Sequence, residues 1–237
     1  MNLEQSLPGL LPPEFALADL DGETDTEANV DGRVLRGQRT RRNVADALIS
    51  LLQEGDAEPT ARAVAERAGV SLRLVFHHFA EMDDLYHYVA ALLLRRQWSE
   101  MPFISPKLAL ATRMERLTAH RAALYEEISP IRRALVHRMT TSEGVTAAVH
   151  ASDTLLLESL KETFEPELAT LPASARIEVL EAMDVVSSWE AWERLRTISS
   201  LQVRAAKRVM TRMLDALCVV PAHAGAARRA VPVSAAV

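Results

Sequence analysis

The sequence contains one cysteine and few aromatic residues. Cys218 has no second cysteine to pair with, which excludes an intrachain disulfide and favours a reducing compartment such as the cytoplasm. Aromatic residues make up 5% of a chain that is 49% hydrophobic, with 8 glycines and 11 prolines. Because the glycines and prolines fall mostly at the edges of apolar segments, this composition predicts an all-α protein.

Long apolar runs are missing, and so are basic residues near the N-terminus. The longest apolar run covers about residues 88–94, well short of the roughly 18 residues that a membrane span needs. Residues 1–32 carry eight acidic residues and neither Lys nor Arg, so we expect no secretory signal and no membrane partner. We predict disorder over residues 1–32 and over the Ala-rich tail, residues 221–237.

The sequence also lacks the patterns of common catalytic and metal sites. It has no Gly-rich phosphate loop, no His-Glu-x-x-His and no Glu-x-x-His. The histidines are dispersed, apart from His77 and His78, and the spacing of Asp84 and His87 is a chance-level metal pattern. We therefore predict no catalytic residues, no metal and no cofactor, and an all-α enzyme is the least favoured alternative.

Residues 60–79 are predicted to form two short helices joined by a tight turn. Thr60 and Ser71 are residues that cap helix N-termini, and Gly69 can adopt the positive φ that ends the first helix. Small residues on the first helix allow a close crossing with the second, as a helix-turn-helix requires. An ordinary helical hairpin is the alternative.

The charge distribution supports DNA binding in this part of the chain. The net charge is −5, yet residues 33–79 have eight arginines against five acidic residues. Five of these arginines lie in residues 32–42, which predicts an arm that contacts phosphates or enters the minor groove; a solvated linker is the alternative. The acidic residues 1–32 are either a solvated tail or an arm that competes with DNA for this basic region.

Residues 37–97 resemble the DNA-binding domain of the TetR family of bacterial transcriptional regulators. The resemblance rests on Arg42, Ala45, Ala47, Leu48, Leu52, Glu54, Gly55, Thr60, Val64, Ala65, Ala68, Gly69, Val70, Ser71, Phe76, His78, Phe79 and Leu85. Taken together with the arginine arm and the exposed face of the second helix, it leads us to expect that DNA is bound by Arg39, Arg41, Arg42, Thr60, Ser71, Leu72, Arg73, Leu74, Phe76, His77 and His78.

Four residues depart from the family pattern. Arg73 replaces a small residue, Leu74 a polar one, Phe76 the usual Tyr, and Met82 a Lys. Three customary phosphate contacts are thereby lost, and we expect Arg73 and the arginine arm to replace part of them. Alternatively, Arg73 donates a bidentate pair to a guanine.

The C-terminal part predicts further helices near residues 106–127, 130–140, 143–164, 173–197 and 200–219. The resemblance implies that the last two form a dimer bundle; the alternative is that they close the core of a monomer. A pocket for a small, largely apolar effector is expected among residues that otherwise belong to the core. These are Met114, Leu117, His120, Leu124, His137, Met183 and Trp189.

The predicted organisation is an acidic extension (1–32), a helix-turn-helix domain (33–97, motif 60–79), a helical effector-binding and dimerisation domain (98–220) and a tail (221–237). The expected function is sequence-specific transcriptional regulation by a homodimer on a palindromic operator, most simply as a repressor released by an effector. The alternative is a TetR-like ligand- or partner-binding protein that has lost operator binding.

Overall fold

The computed structural model describes residues 32–218, whose regular structure is entirely helical, as predicted. The predicted tail (221–237) lies outside the described residues, and so does the predicted extension (1–32) apart from Gly32. The helices are α1 (Gly32–Gln53), α2 (Ala61–Ala68), α3 (Leu72–His78), α4 (Met82–Glu100), α5 (Leu110–Arg138), α6 (Glu143–Thr163), α7 (Glu165–Leu168), α8 (Ala173–Ser187), α9 (Trp189–Glu193), a π-helical turn (Arg194–Ile198) and α10 (Val203–Cys218).

Helix α1 begins earlier than the sequence predicted. The first helix was expected from about residue 41, preceded by an arginine arm, but the helix starts at Gly32 and includes that arm. The segment contains no proline and several good helix formers, so the helix extends toward the N-terminus. Its arginines are therefore carried on a helix, which fixes their spacing.

Helices α2 and α3 form the predicted helix-turn-helix. The Thr60 hydroxyl accepts a hydrogen bond from the Ala63 backbone N–H at 3.2 Å, and the Ser71 hydroxyl accepts one from Leu74 at 3.2 Å. Gly69 ends α2 with φ 67°, in the left-handed region that glycine occupies without strain. The three capping predictions are thus confirmed.

The long helix α5 runs through Pro130, where the sequence predicted a break between two helices. Proline removes one backbone hydrogen bond and crowds the carbonyl of residue 126, which costs roughly 3 kcal/mol in a helix interior. Buried residues on both sides of it, among them Tyr125, Ile131 and Leu135, anchor α5 in two separate core clusters. This tertiary packing explains why one continuous helix forms.

Helix α4 joins the helix-turn-helix to the rest of the molecule. Its buried residues Leu85 and Val89 belong to the same apolar cluster as Val75 of α3. That cluster continues into the C-terminal half of α5 and the N-terminal half of α6, for example at Leu135 and Val149. The core of the helix-turn-helix therefore does not end at residue 97 but is shared with α5 and α6.

The remaining helices surround a second cluster, which includes the fully buried Trp192. The segment predicted as one helix over 173–197 is divided at Ser188, whose hydroxyl caps α9 by accepting from the Ala191 N–H at 3.1 Å. Met183 of α8 and Leu214 of α10 are fully buried in this cluster. The last helices thus close the chain's own core with one face, and leave another face exposed.

Candidate nucleic-acid interface and effector cavity

Helix α3 presents one continuous exposed arc to solvent. Leu72, Arg73, Phe76 and His77 are exposed, whereas Val75 on the opposite side is buried against the first cluster. At 3.6 residues per turn the four exposed residues span about 140° of the helix circumference. A helix that is packed on one face and exposed on the opposite face is suited to enter a major groove.

The predicted DNA-binding residues fall into two groups by accessibility. Arg39 and Arg42 of α1 are exposed, and Arg42 forms an ion pair with Asp46 at 3.5 Å. Leu74 and His78 are only partly accessible and face the side of α3 that packs inward. The hydroxyls of Thr60 and Ser71 are engaged in helix caps, at the start of α2 and at the start of α3 respectively.

Arg41 differs from the other arginines of α1 because it packs onto aromatic rings. Its guanidinium lies 5.2 Å from the ring centroid of Phe79 and 4.8 Å from that of Tyr88. Its Nε is buried without a hydrogen-bond partner among the described residues. Arg41 therefore braces α1 against α4 by cation–π contacts.

Burial of the His78 imidazole lowers its pKa, and the nearby His77 and Arg41 lower it further. Protonation of His78 is therefore less favourable than that of a free imidazole, while the exposed arc next to it carries Arg73. Arg73 has no hydrogen bond or ion pair within residues 35–218, so its guanidinium is available to a ligand. Arg67, by contrast, is bound to Glu54 by two hydrogen bonds, at 2.7 and 2.6 Å, and joins α2 to the end of α1.

A small cavity of about 50 Å³ lies between α4, α5 and α6. Its wall is mostly apolar and includes Leu94, Leu124 and Ile128. Its polar residues include Gln97, which accepts a hydrogen bond from the Ser152 hydroxyl at 2.6 Å, and Arg132. The Arg132 guanidinium donates to both Asp153 oxygens at 2.8 and 2.9 Å, and its Nε has no partner among the described residues.

Of the residues predicted to line a pocket, the structure places Leu124 alone at this cavity. Met114, Leu117, Met183 and Trp189 are buried in the second cluster. His120 is mostly enclosed, its Nε2 is buried without a hydrogen-bond partner among the described residues, and burial is the main cause of its lowered pKa. His137 is exposed near the C-terminal end of α5 and borders an open cleft against the end of α1.

Sequence reasoning missed the polar residues of the cavity, although the sequence contains a signal for them. Arg132 interrupts the apolar series formed by Leu124, Ile128 and Leu135 on one side of α5. Gln97 likewise continues the apolar series of α4. A polar residue at an apolar position of an amphipathic helix is a candidate for a ligand contact.

Within residues 35–218, no group of three or more His, Cys, Asp or Glu side chains is arranged to hold a metal ion. None of the described helices combines the length and the apolar character that crossing a membrane requires.

Comparison with known proteins agrees with this geometry. Residues 45–89 match the family model described as bacterial regulatory proteins, tetR family. The match covers the end of α1, both helices of the helix-turn-helix and the first part of α4. No curated protein matches the chain significantly. Regulators of this family are generally not enzymes. The match supports a helix-turn-helix domain of the TetR type over residues 45–89, the part of the chain that contains α2 and α3.

Proposed function

We propose that the protein is a homodimeric repressor that binds a palindromic operator and leaves it when a small, largely apolar effector binds. The observation that carries this proposal is the course of α4. Leu85 and Val89 pack against the helix-turn-helix, and Leu94 and Gln97, farther along the same helix, line the cavity. A change at the cavity therefore acts on the helix that supports the DNA-binding unit.

The cavity is too small for a drug-sized effector, so effector binding requires the surrounding helices to move. Ligand pockets for drug-sized molecules usually measure about 300–1,000 Å³. A cavity of about 50 Å³ accommodates such a molecule only if α4, α5 and α6 move apart. The effector then binds the parted arrangement more tightly than the closed one, and this difference in affinity shifts the protein away from the operator-binding state.

The cavity lining supports an apolar effector with a hydrogen-bond acceptor. Aliphatic side chains form most of the wall, and the Arg132 Nε is a donor without a partner in the described residues. Burial raises the pKa of Asp153, against the opposing effect of Arg132. An effector oxygen near Arg132 satisfies a buried donor that otherwise costs free energy to leave unpaired.

Dimer formation is supported by the outer face of the C-terminal helices. Ile177 and Val185 of α8 are 63% and 64% exposed, and Ile198 of the π-helical turn is 72% exposed. These residues belong to elements that follow one another closely in the chain, and exposed apolar patches are typical of interaction sites. To contact adjacent major grooves of a palindrome, the dimer must hold its two copies of α3 about 34–36 Å apart.

The test is a fluorescence-anisotropy titration with DNA from upstream of the protein's own gene, repeated at several salt concentrations. We expect a preference of about 10³-fold or more over random DNA, with a steep dependence on salt. Arg73→Ala should weaken operator binding, whereas Arg73→Lys should retain the salt dependence and lose base discrimination. Equal binding of the wild type to the upstream fragment and to random DNA would contradict the proposal that this fragment contains the operator.

One alternative is supported by the composition of α3 and the start of α4. Leu74, Phe76 and Met82 stand where the family usually has polar residues, which is consistent with a TetR-like ligand- or partner-binding protein that no longer binds an operator. Titration with random DNA at low salt separates the two functions. Absence of binding there, together with no enrichment from a library of random duplexes, would favour the alternative.

A further inference from the structure

The exposed arc of α3 is divided into two columns of different chemistry. Leu72 and Phe76 lie one turn apart along one edge, and are 38% and 45% exposed. Arg73 and His77 lie one turn apart along the other edge and are also exposed. Because α3 is held by Val75 on its opposite side, both columns point away from the protein.

Two large apolar side chains one turn apart form a small exposed apolar patch on α3, and such patches often mark interaction sites. Neither Leu72 nor Phe76 belongs to either core cluster. In a major groove, the thymine 5-methyl group is the apolar feature of the base edges, and Phe is among the residues that contact it. The neighbouring Arg73 supplies the positive charge that brings such a surface to DNA.

Resting on the proposed function, we propose that Leu72 and Phe76 select the operator by contacting thymine 5-methyl groups. Their separation of four residues corresponds to a rise of about 6 Å. That distance is close to two base-pair steps of B-DNA, at about 3.4 Å each. The operator half-site therefore contains two thymines about two steps apart, next to the base pairs that Arg73 and His77 face.

The experiment first selects the preferred duplex from a random library with the full-length protein. Each thymine of one half-site is then replaced by uracil, which removes the 5-methyl group and keeps the Watson–Crick edge. At two positions the Kd should rise about fourfold, since burying one methyl contributes about 0.8 kcal/mol. In duplexes that carry cytosine instead of thymine at either position, replacing that cytosine by 5-methylcytosine should improve binding by a similar factor.

Two variants assign the positions. Phe76→Ala should abolish the difference between thymine and uracil at one position, and Leu72→Ala at the other. Both side chains are exposed in the free protein, so neither variant should change the unfolding transition. His77→Ala is the matched control on the same arc, and should leave both thymine-to-uracil ratios unchanged.

The outcomes separate the inference from the function on which it rests. Specific binding with equal affinity for thymine and uracil at every position overturns the inference and leaves the proposed function intact. Unchanged operator affinity of both alanine variants also overturns it, and assigns the apolar column to another occupant such as a protein partner. Failure to select any sequence overturns both.

Discussion

Arg138, in the last turn of α5, donates a hydrogen bond to Asp83, in the first turn of α4, across 2.8 Å. The same guanidinium lies 4.5 Å from the ring centroid of the buried Tyr86 and 3.4 Å from Glu58, in the loop before α2. One side chain of the C-terminal helices therefore contacts both the start of α4 and the loop that precedes the helix-turn-helix.

We expect Asp83→Asn to lower the free energy of unfolding by about 1–2 kcal/mol, because Arg138 and Asp83 are both largely shielded from solvent. Glu58→Gln is the matched control, since Glu58 is 75% exposed and its pair with Arg138 is longer. Its effect should stay below about 0.5 kcal/mol. Urea unfolding of the two variants measures both values, and equal losses would contradict a specific role for Asp83.

A second contact between α4 and the C-terminal helices depends on the absence of a side chain. A Cβ placed on Gly144, in the first turn of α6, would lie 2.7–2.8 Å from three atoms of the His87 ring. Gly144→Ala should therefore displace His87 and destabilise the protein, against the usual benefit of Ala over Gly in a helix.

The His87→Ala/Gly144→Ala double variant should recover the loss. We expect a coupling free energy of at least about 1 kcal/mol from the double-mutant cycle, measured by urea unfolding. Additive effects of the two substitutions would show that the ring moves away without cost.

The exposed face of α8 leads to a prediction about assembly. Val185→Glu should convert the proposed dimer to a monomer in sedimentation velocity and weaken operator binding, because it places a charge in an apolar contact. Val136→Glu on α5 introduces the same change at a residue that is 40% exposed, and should leave the dimer intact. A dimer that persists in Val185→Glu would place the interface elsewhere.

Stability should decrease as the pH falls below about 6.5, the ordinary pKa of histidine. Burial lowers the pKa of His78, His87 and His120 in the folded protein, so the unfolded chain takes up protons first as the pH falls. Asp153 acts in the opposite direction at lower pH, since burial raises its pKa. Urea unfolding at about pH 7.5 and 5.5 measures the slope, and His120→Gln should reduce it.

The accuracy of the sequence predictions follows the range of the interactions involved. Thr60, Gly69 and Ser71 act on backbone groups within a few residues, and their roles were readable from the sequence. The break predicted at Pro130 was wrong, because packing by residues distant in the chain keeps α5 continuous. The site residues proposed for DNA and effector remain predictions.

The cavity residues show why part of the site was not predictable. In the sequence, an apolar residue of α5 that faces a neighbouring helix has the same spacing as one that faces a cavity. The difference depends on how α4 and α6 are placed. Leu124 lines the cavity, whereas Leu117 of the same helix is enclosed by the second cluster. Spacing alone does not distinguish these two positions.

Because α4 is continuous from the cavity to the helix-turn-helix, a tilt of this helix at the cavity would displace its other end. Its 19 residues correspond to a length of about 28 Å. A tilt of about 5° at the cavity end would displace the other end by roughly 2.5 Å over that length. In a twofold dimer the partner's α4 would move in the direction related by the twofold axis, so the distance between the two α3 helices would change by up to twice that amount. Base pairs repeat about every 3.4 Å along the duplex. If the distance between the two α3 helices changes by a full base-pair step, they no longer fit both half-sites at once.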